Sequence, residues 1–580
     1  MANRDHSAPG AQIGELMRTA ATRSVSRRDL LKRATALGAG ASVLAGLNAV
    51  GVSAAPSMNR LRLMNAALQG EALAEEQVVR LPEGEPVRFD PGVSSGGKGL
   101  EMLQNLFEGL VYIDQRDGSL QMGLAEKMEP NADATEFTFT LRDGLKWSDG
   151  TPLNATDFEY SWKRVLDPNT KSEYTSAMYP VKNGQAIDKG EMTFDQLAVT
   201  AADEKTLKVT LDGPTPYFPL LAATWTFYPV PKHVIEKEGD AWVEAGKMVS
   251  NGPYMLTAWE HNQSMVLDQN PNYYGEKPTI TKANYTLFDD NVAQALVPFE
   301  NDELDQAQVS AADLDRVKND ETLSKLMQVF PRSGTRFVAC DCTNPPTDDP
   351  RVRQALSLAI NRDTLANGVL KGQFTATQTI LPPDIPGHNP EATLGENVDQ
   401  AKQLLADAGF PDGKDFPELK LVYISTATDE KQTAEYLQGV WKQNLGISVT
   451  LDPLEDKAHQ DWFNSLKTQP FNLGINLWGS DWGDPANWHN QLFESAADFY
   501  HNHWKNDQFD QIVRAAAVNP DAEARIAQYK DAEKILVQDA PNIPLYNLNR
   551  IYVIKPNVRG IYHYPILGRT WIRYISIVKA

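Results

Sequence analysis

Two hydrophobic rhythms alternate along the chain. Apolar residues fall at every second position in Phe137, Phe139 and Leu141, in Leu207, Val209 and Leu211, and in Ile447, Val449 and Leu451. That spacing lays one side of a strand against a core. Elsewhere it lengthens to three and four. Asp349 to Leu370 carries Val352, Ala355, Leu356, Ala359 and Ile360 on one helical face, with Pro350 in the first turn. Val398 to Ala408 stops at Gly409, and Asp429 to Leu445 and Asp521 to Gln538 each meet Gly or Pro within a few residues, the residues that end helices. Leu419 to Leu451 reads strand, helix, Gly446, strand, the mark of a parallel crossover. Thr206 to Leu211 and Tyr254 to Asp268 are followed by turns at Asp212-Gly213-Pro214 and Asn270-Pro271, which suits antiparallel pairing. The expected class is α/β with mixed sheets. No repeat and no polar linker divides the chain, so its domains are expected to be discontinuous.

A stretch of another kind precedes these elements. Ser26-Arg27-Arg28-Asp29-Leu30-Leu31-Lys32 is followed by about twenty small or apolar residues and then Ser53-Ala54-Ala55-Pro56. A basic segment, an apolar run and a small-residue cleavage site form a signal peptide, and the paired arginines mark the twin-arginine type. A membrane anchor is the competing reading. The run from Ala34 to Ala55 is rich in Ala, Gly and Ser and broken by Asn48, which favours cleavage, best after Ala54. Neither cysteine lies nearby, so no lipid anchor is expected. The chain is expected to work as a periplasmic or otherwise extracytoplasmic protein, away from ATP and nicotinamide pools.

Loss of residues 1–54 would leave 526 residues with 48 basic and 73 acidic side chains, a net charge of −25. That length suggests two to four domains. The charge argues against nucleic acid or an anionic membrane surface as partner. Cys340 and Cys342, the only two cysteines, are too close along a strand for an unstrained disulfide and read as free thiols. No histidine or cysteine spacing suggests a metal, and no cofactor is assigned. Nucleophile-elbow, zinc-helix, phosphate-loop and dinucleotide patterns are missing. His489, His501 and His503, near Asp498, read as exposed or hydrogen-bonded surface histidines. No catalytic residue is assigned, and an enzyme is not expected; a secreted peptide or amide hydrolase with a spatially assembled triad is the competing class.

The densest chemistry lies in Trp478-Gly479-Ser480-Asp481-Trp482-Gly483-Asp484-Pro485, with Trp488 just beyond. One reading is a core-packing turn whose indoles fill space. The other is a ligand wall: aromatic faces and a carboxylate attract an ammonium group, and glycines admit a ligand backbone.

At these residues the sequence resembles the oligopeptide-binding proteins that serve ABC importers, within the peptide and nickel family of extracellular solute-binding proteins. The resemblance runs through Asn105-Leu106-Phe107-Glu108-Gly109-Leu110, the stretch from Phe137 to Pro152, Asp157-Phe158-Glu159-Tyr160-Ser161-Trp162, Asn251-Gly252-Pro253-Tyr254, Arg351-Val352-Arg353-Gln354-Ala355-Leu356 and Ile577-Val578-Lys579. It implies a two-lobed periplasmic-binding-protein fold with an additional third domain, closing over an oligopeptide or other small solute and docking as a monomer on a membrane permease. One lobe would combine residues 75–107, 232–334 and 550–580, with 108–231 as its extra domain; 335–549 would form the other, with a hinge near 332–336 and 546–552.

The resemblance further implies that Asp481 holds the peptide α-ammonium, within a wall of Trp478, Ser480 and Trp482. Leu477, Gly479, Ser95 and Gly97 would offer backbone groups, and Tyr174 matches a site tyrosine. An extended peptide pairing with backbone explains broad specificity. Departures accompany the matches. Two positions of a family disulfide are Gly334 and Gly479, and positions that bind the ligand carboxylate read Leu370, Glu430, Leu466 and Ile475, with Lys467 the only nearby substitute. Longer or basic peptides, or a non-peptide ligand such as a glycan fragment, opine or metal chelate, are the alternatives this opens.

Overall fold

The computed structural model describes residues 71–579 except 88, 95–97, 289–291, 567 and 569 and the side chain of Ala293. The expected export leader lies outside the described residues. Among them, no helix is long and apolar enough to cross a membrane. The chain forms two units, Gln77–Ile575 and a second one made of Met1–Glu76 with Ser576–Ala580. In the described part of the second, the Ala74 amide donates to the Ile577 carbonyl at 2.9 Å and that of Lys579 to Ala72 at 2.8 Å.

Three sheets organise the larger unit. The widest has seven strands, in the order Gln306–Gln308, Asn542–Ile554, Met327–Cys340, Leu473–Gly479, Leu419–Ile424 and Val449–Leu454, with Thr375–Ala376 beside Asn542–Ile554. The last three in that order are parallel, while Met327–Cys340 is antiparallel to both neighbours. A four-stranded sheet holds Val78–Gly84, Lys282–Phe288, Ser264–Gln269 and Tyr254–Glu260; another holds Ala125–Pro130, Glu136–Leu141, Thr206–Thr210 and Val199–Ala201. The alternation read at Phe137, Phe139 and Leu141 is the buried face of the second of these.

The crossover expected at 419–451 is present. Leu419–Ile424 and Val449–Leu454 pair in parallel and are joined by the helix Thr428–Leu445, which ends at Gly446 with φ of 74°, a left-handed cap that costs glycine little. Ala434, Leu437, Trp441 and Leu445 pack against Leu419, Leu421, Val338 and Ile475 on one face of the sheet. Phe337, Ala339, Trp488, Phe509 and Tyr529 form a second core. Helix starts follow local chemistry: Asn154 and Asp157 form a reciprocal capping box, and Asn397, Asn506 and Asp521 each accept an amide of the first turn, satisfying donors the helix leaves open.

One helix differs from its expectation. Asp349 to Leu370 divides into Pro350–Leu358 and a π turn, Thr364–Val369. Asn361 starts the second piece by accepting the Thr364 amide at 2.7 Å. Arg362 turns inward at the break, donating to the Pro544 carbonyl at 2.7 Å and the Ser357 hydroxyl at 2.9 Å. Apolar spacing carries no sign of this inward arginine.

Candidate functional site

The strand Leu473–Gly479 pairs with Met327–Cys340 along its whole length, from Leu473 opposite Cys340 to Gly479 opposite Gly334. Against Leu419–Ile424 it pairs only at Leu473 and Gly474. Beyond Gly474 the two parallel strands separate toward their carboxyl ends, the usual position of a binding crevice in such sheets. The stretch Ile475 to Gly479 is therefore paired with a strand on one edge only, the kind of edge that can accept an added strand. Leu477 and Gly479 lie there, and the Leu477 carbonyl already accepts the Tyr500 hydroxyl at 2.8 Å.

The turn after this strand is fastened at several points. The Ser480 amide donates to the Ser333 carbonyl at 2.9 Å, and the Ser480 hydroxyl meets that of Ser333 at 2.7 Å and accepts the Trp488 indole N–H at 2.8 Å. Asp484 caps the short helix Pro485–Asn487 through the Ala486 amide and receives both terminal nitrogens of Arg525 at 2.6 Å. Asn487 Oδ1 accepts the Asp481 amide at 2.9 Å. This bracing fixes Asp481 without neutralising it.

The carboxylate of Asp481 receives the Tyr174 hydroxyl at 3.1 Å. The Tyr174 ring stacks on Trp225, 5.8 Å between centroids, and Trp225 is held by its indole N–H on the Ser94 carbonyl at 2.8 Å. Tyr217 lies parallel to Trp482, 6.5 Å away. Chain between 174 and 225 thus meets the 480s turn over aromatic surfaces. Loss of water raises the Asp481 carboxyl above the ordinary aspartate range, with Tyr174 and Asn487 partly opposing the rise. Burial, then the Asp481 charge, pushes the Tyr174 phenol up. Tyr174 therefore donates and Asp481 accepts. Among the described residues, no lysine, arginine or histidine is ion-paired with Asp481.

The three tryptophans divide between the two readings. Trp488 is fully buried in the second core. Trp478 and Trp482 keep some surface, yet their indole nitrogens are shielded and have no acceptor. Trp478 also sets its edge against Phe499 at 5.1 Å. Space-filling explains the first, and two unmet donors distinguish the others.

Leu477, Trp478, Gly479, Ser480, Asp481 and Trp482 follow one another along the strand and its turn, and Tyr174 joins them through its hydrogen bond to Asp481. Ser95 and Gly97 lie outside the described residues. Gly334 and Gly479 face one another across the strand pair, where a bridge between two cysteines would have to form. Leu370, Leu466 and Ile475 are buried in the apolar cores, Lys467 is exposed, and Glu430 is buried against Arg336 and accepts the Ile424 amide at 2.8 Å. Cys340 and Cys342 are free thiols. The surface reading of His489 is overturned: it is fully buried and its Nε2 meets Glu533 at 2.8 Å, while Glu533 Oε1 accepts the Ile380 and Leu381 amides at 3.0 and 3.2 Å. Tyr217, Trp225, Asn487 and Arg525 were missed, and only Trp225 and Tyr217 carry a sequence signal, as aromatics within Pro216-Tyr217-Phe218 to Trp225.

Residues 119–500 match the family described as Bacterial extracellular solute-binding proteins, family 5 Middle. The oligopeptide-binding protein OppA of Bacillus subtilis is 32% identical over 82% of this chain and 88% of its own. A probable deoxycholate-binding periplasmic protein of Escherichia coli, YgiS, is 34% identical over 84% of this chain and 91% of its own. The solved unliganded open form of the periplasmic murein tripeptide-binding protein MppA superposes with a TM-score of 0.77 at 32% identity, covering 88% of this chain and 99% of that one. The fold is that of two-lobed periplasmic binding proteins, with mixed sheets. The chain belongs to family 5 of the bacterial extracellular solute-binding proteins.

Proposed function

We propose that this protein captures oligopeptides outside the cytoplasm as a monomer and delivers them to a membrane ABC permease, gripping the α-ammonium at Asp481. The observation that carries this reading is a shielded carboxylate, fixed by a braced turn and bonded only to neutral groups. A carboxylate shielded from water without a cation is costly, and an incoming ammonium removes that cost. The edge of Ile475 to Gly479 that lacks a strand partner suits the main-chain groups of an extended ligand. Peptide relatives of similar length support the ligand class. The name of the YgiS relative supports a second reading, a non-peptide ligand; mass spectrometry of material released from the denatured protein separates the two.

Closure between lobes is part of the proposal. The lobes would be 75–107 with 232–334 and 550–580, their extra domain 108–231, and 335–549 opposite. Met327–Cys340 and Asn542–Ile554 run through both expected hinge segments, and their pairing shifts register between Arg332 and Thr335, a local irregularity able to take up rotation. Export by the twin-arginine route would bring the chain to its place of work.

The direct test compares one peptide in three forms by calorimetry. Acetylating its amino end removes the charge that Asp481 would hold and is expected to abolish measurable binding. Amidating its carboxyl end should change affinity by less than about threefold, because the positions that would grip it are buried apolar residues or the paired Glu430. Equal binding of the acetylated form would refute the assignment.

Acidity supplies a second test. Ligand ammonium needs the ionised carboxylate, whereas the ligand-free fold holds that carboxyl above its ordinary value. Binding therefore releases a proton when the free site is protonated, and affinity should fall as pH drops through the raised value. The decline should begin at higher pH than an ordinary aspartate would give, and it should disappear in Asp481→Asn.

A further inference from the structure

We infer that Tyr500 caps the ligand-facing edge of the strand Leu473–Gly479 at the Leu477 carbonyl, so that a bound peptide pairs with Gly479 but needs no N–H where it passes Leu477 and accepts proline there. The inference rests on the reading of this edge as the place of a peptide anchored at Asp481. The strand runs against Met327–Cys340 in unbroken register. At its two ends the Asp341 amide donates to the Asn472 carbonyl at 3.2 Å, and the Ser480 amide donates to the Ser333 carbonyl at 2.9 Å. Antiparallel partners exchange hydrogen bonds only at alternate residues. Asn472, Gly474, Asn476, Trp478 and Ser480 therefore turn their N–H and C=O groups toward Met327–Cys340. Ile475, Leu477 and Gly479 turn theirs the other way, to the edge that has no strand partner beyond Gly474.

At Leu477 this edge is already engaged. The Tyr500 hydroxyl donates to the Leu477 carbonyl at 2.8 Å, the bond that a ligand N–H would otherwise make. The tyrosine is buried, with Phe337 edge-on at 5.1 Å and Phe499 and Phe463 at 5.1 and 6.0 Å. On either side of it the chain bends through left-handed backbone at residues other than glycine: Asp498 with φ of 37°, then His501 with 52° and His503 with 57°. Such conformations persist only where the surroundings enforce them. Here the His501 amide donates to the Asp498 carbonyl at 3.0 Å, the His503 amide to the Asp498 side chain at 3.2 Å, and the Cys342 amide to the Asn502 carbonyl at 2.8 Å. Tyr500 is thus fixed, and its one proton is spent on Leu477. A ligand without an N–H at that point leaves no carbonyl unsatisfied, so the usual penalty for removing one partner of a hydrogen bond is absent. Proline, which has no N–H, suits such a position on an edge. Among the described residues, no side chain caps the Gly479 carbonyl in this way, so the ligand residue beside it keeps its N–H.

Calorimetry on the full-length mature protein tests the inference with a pentapeptide of alanine and its forms carrying a single N-methyl group at each residue after the first. With its ammonium at Asp481 the peptide runs antiparallel to the strand, so the amides that meet Gly479 and Leu477 are two residues apart. Methylation of the first should weaken binding by about tenfold or more, and methylation two residues nearer the carboxyl end should change it by less than about threefold. Tyr500→Phe keeps the ring in its aromatic surroundings and frees the Leu477 carbonyl for the ligand, so the second position should become as costly as the first. A further measurement needs no variant: proline at the tolerated position should bind the native protein within about threefold of alanine. Two costly positions in the native protein, a pattern unchanged by Tyr500→Phe, or rejection of that proline would overturn the inference alone, provided that acetylating the amino end still abolishes binding of the parent pentapeptide. Binding that survives acetylation, or no binding of the parent, would overturn the Asp481 reading and this inference with it.

Discussion

Asp481→Asn is expected to weaken peptide binding by about 2–5 kcal/mol, which is on the order of thirty-fold to several-thousand-fold in Kd. The substitution keeps the shape of the side chain, the Asp481 backbone bond to Asn487 and an oxygen for the Tyr174 hydroxyl. What it removes is the charge that a ligand ammonium would meet in a partly desolvated crevice. Most of the loss comes from leaving that ammonium unpaired. A second effect has the opposite sign. Because the ligand-free fold raises the Asp481 carboxyl, its ionised form costs stability above that value, and stability is recovered as pH falls through it. The neutral amide should therefore raise the thermal midpoint of the ligand-free protein near neutral pH while lowering affinity. Calorimetry and thermal unfolding on one preparation read both. Unchanged affinity would remove Asp481 from the site, and a fall in midpoint together with affinity would point to a general folding defect instead.

Much of the fold was legible because its strands and helices obey short-range spacing. Glu136–Leu141 alternates one face at a time, and Thr428–Leu445 ends on the glycine that its left-handed cap needs. The motifs behind the family resemblance turn out to fasten structure. Asn105 bonds the Thr570 carbonyl and the Ile572 amide, Asn251 exchanges hydrogen bonds with the backbone of Glu108, and a side chain on Gly252 would stand 2.6 Å from the Leu106 backbone. Such residues define a scaffold shared by proteins with different ligands.

The candidate site was legible only in part. Asp481 and its tryptophans are adjacent in sequence, so composition exposed them. Tyr174, Tyr217 and Trp225 reach the same turn from several hundred residues away, and nothing in local spacing reports that meeting. His489 illustrates the opposite error. Beside His501 and His503 it looked like a surface residue, but Glu533 lies 44 positions further along and gives it a buried partner. Pairing across such a separation depends on the helix Ala522–Asp539 packing over the His489 turn, which periodicity alone does not specify.

Stability should depend most heavily on Arg573, where replacement by alanine is expected to cost about 3–5 kcal/mol. Arg573 and Glu108 are both buried and ion-paired. The Tyr273 hydroxyl donates to Glu108 at 2.9 Å, and Tyr274 donates to its other oxygen. The guanidinium also lies over Trp571 at 4.8 Å and Tyr112 at 5.3 Å, contacts favourable to a cation away from water. Alanine removes this positive charge and leaves the carboxylate with two phenols, too few groups to balance it in an apolar setting. Burial acts against the Arg573 charge, yet its phenol and carboxylate neighbours hold its pKa well above the usual value, so it stays charged throughout the working range. The double variant Glu108→Gln with Arg573→Met should recover part of the loss, because neither new side chain is charged. Urea unfolding followed by circular dichroism would measure both. A loss below about 1 kcal/mol for Arg573→Ala, in the range of an exposed pair, would mean that water reaches Glu108 and that this motif does not hold the fold as argued. None of these partners touches Asp481, so molecules that remain folded should keep their peptide affinity.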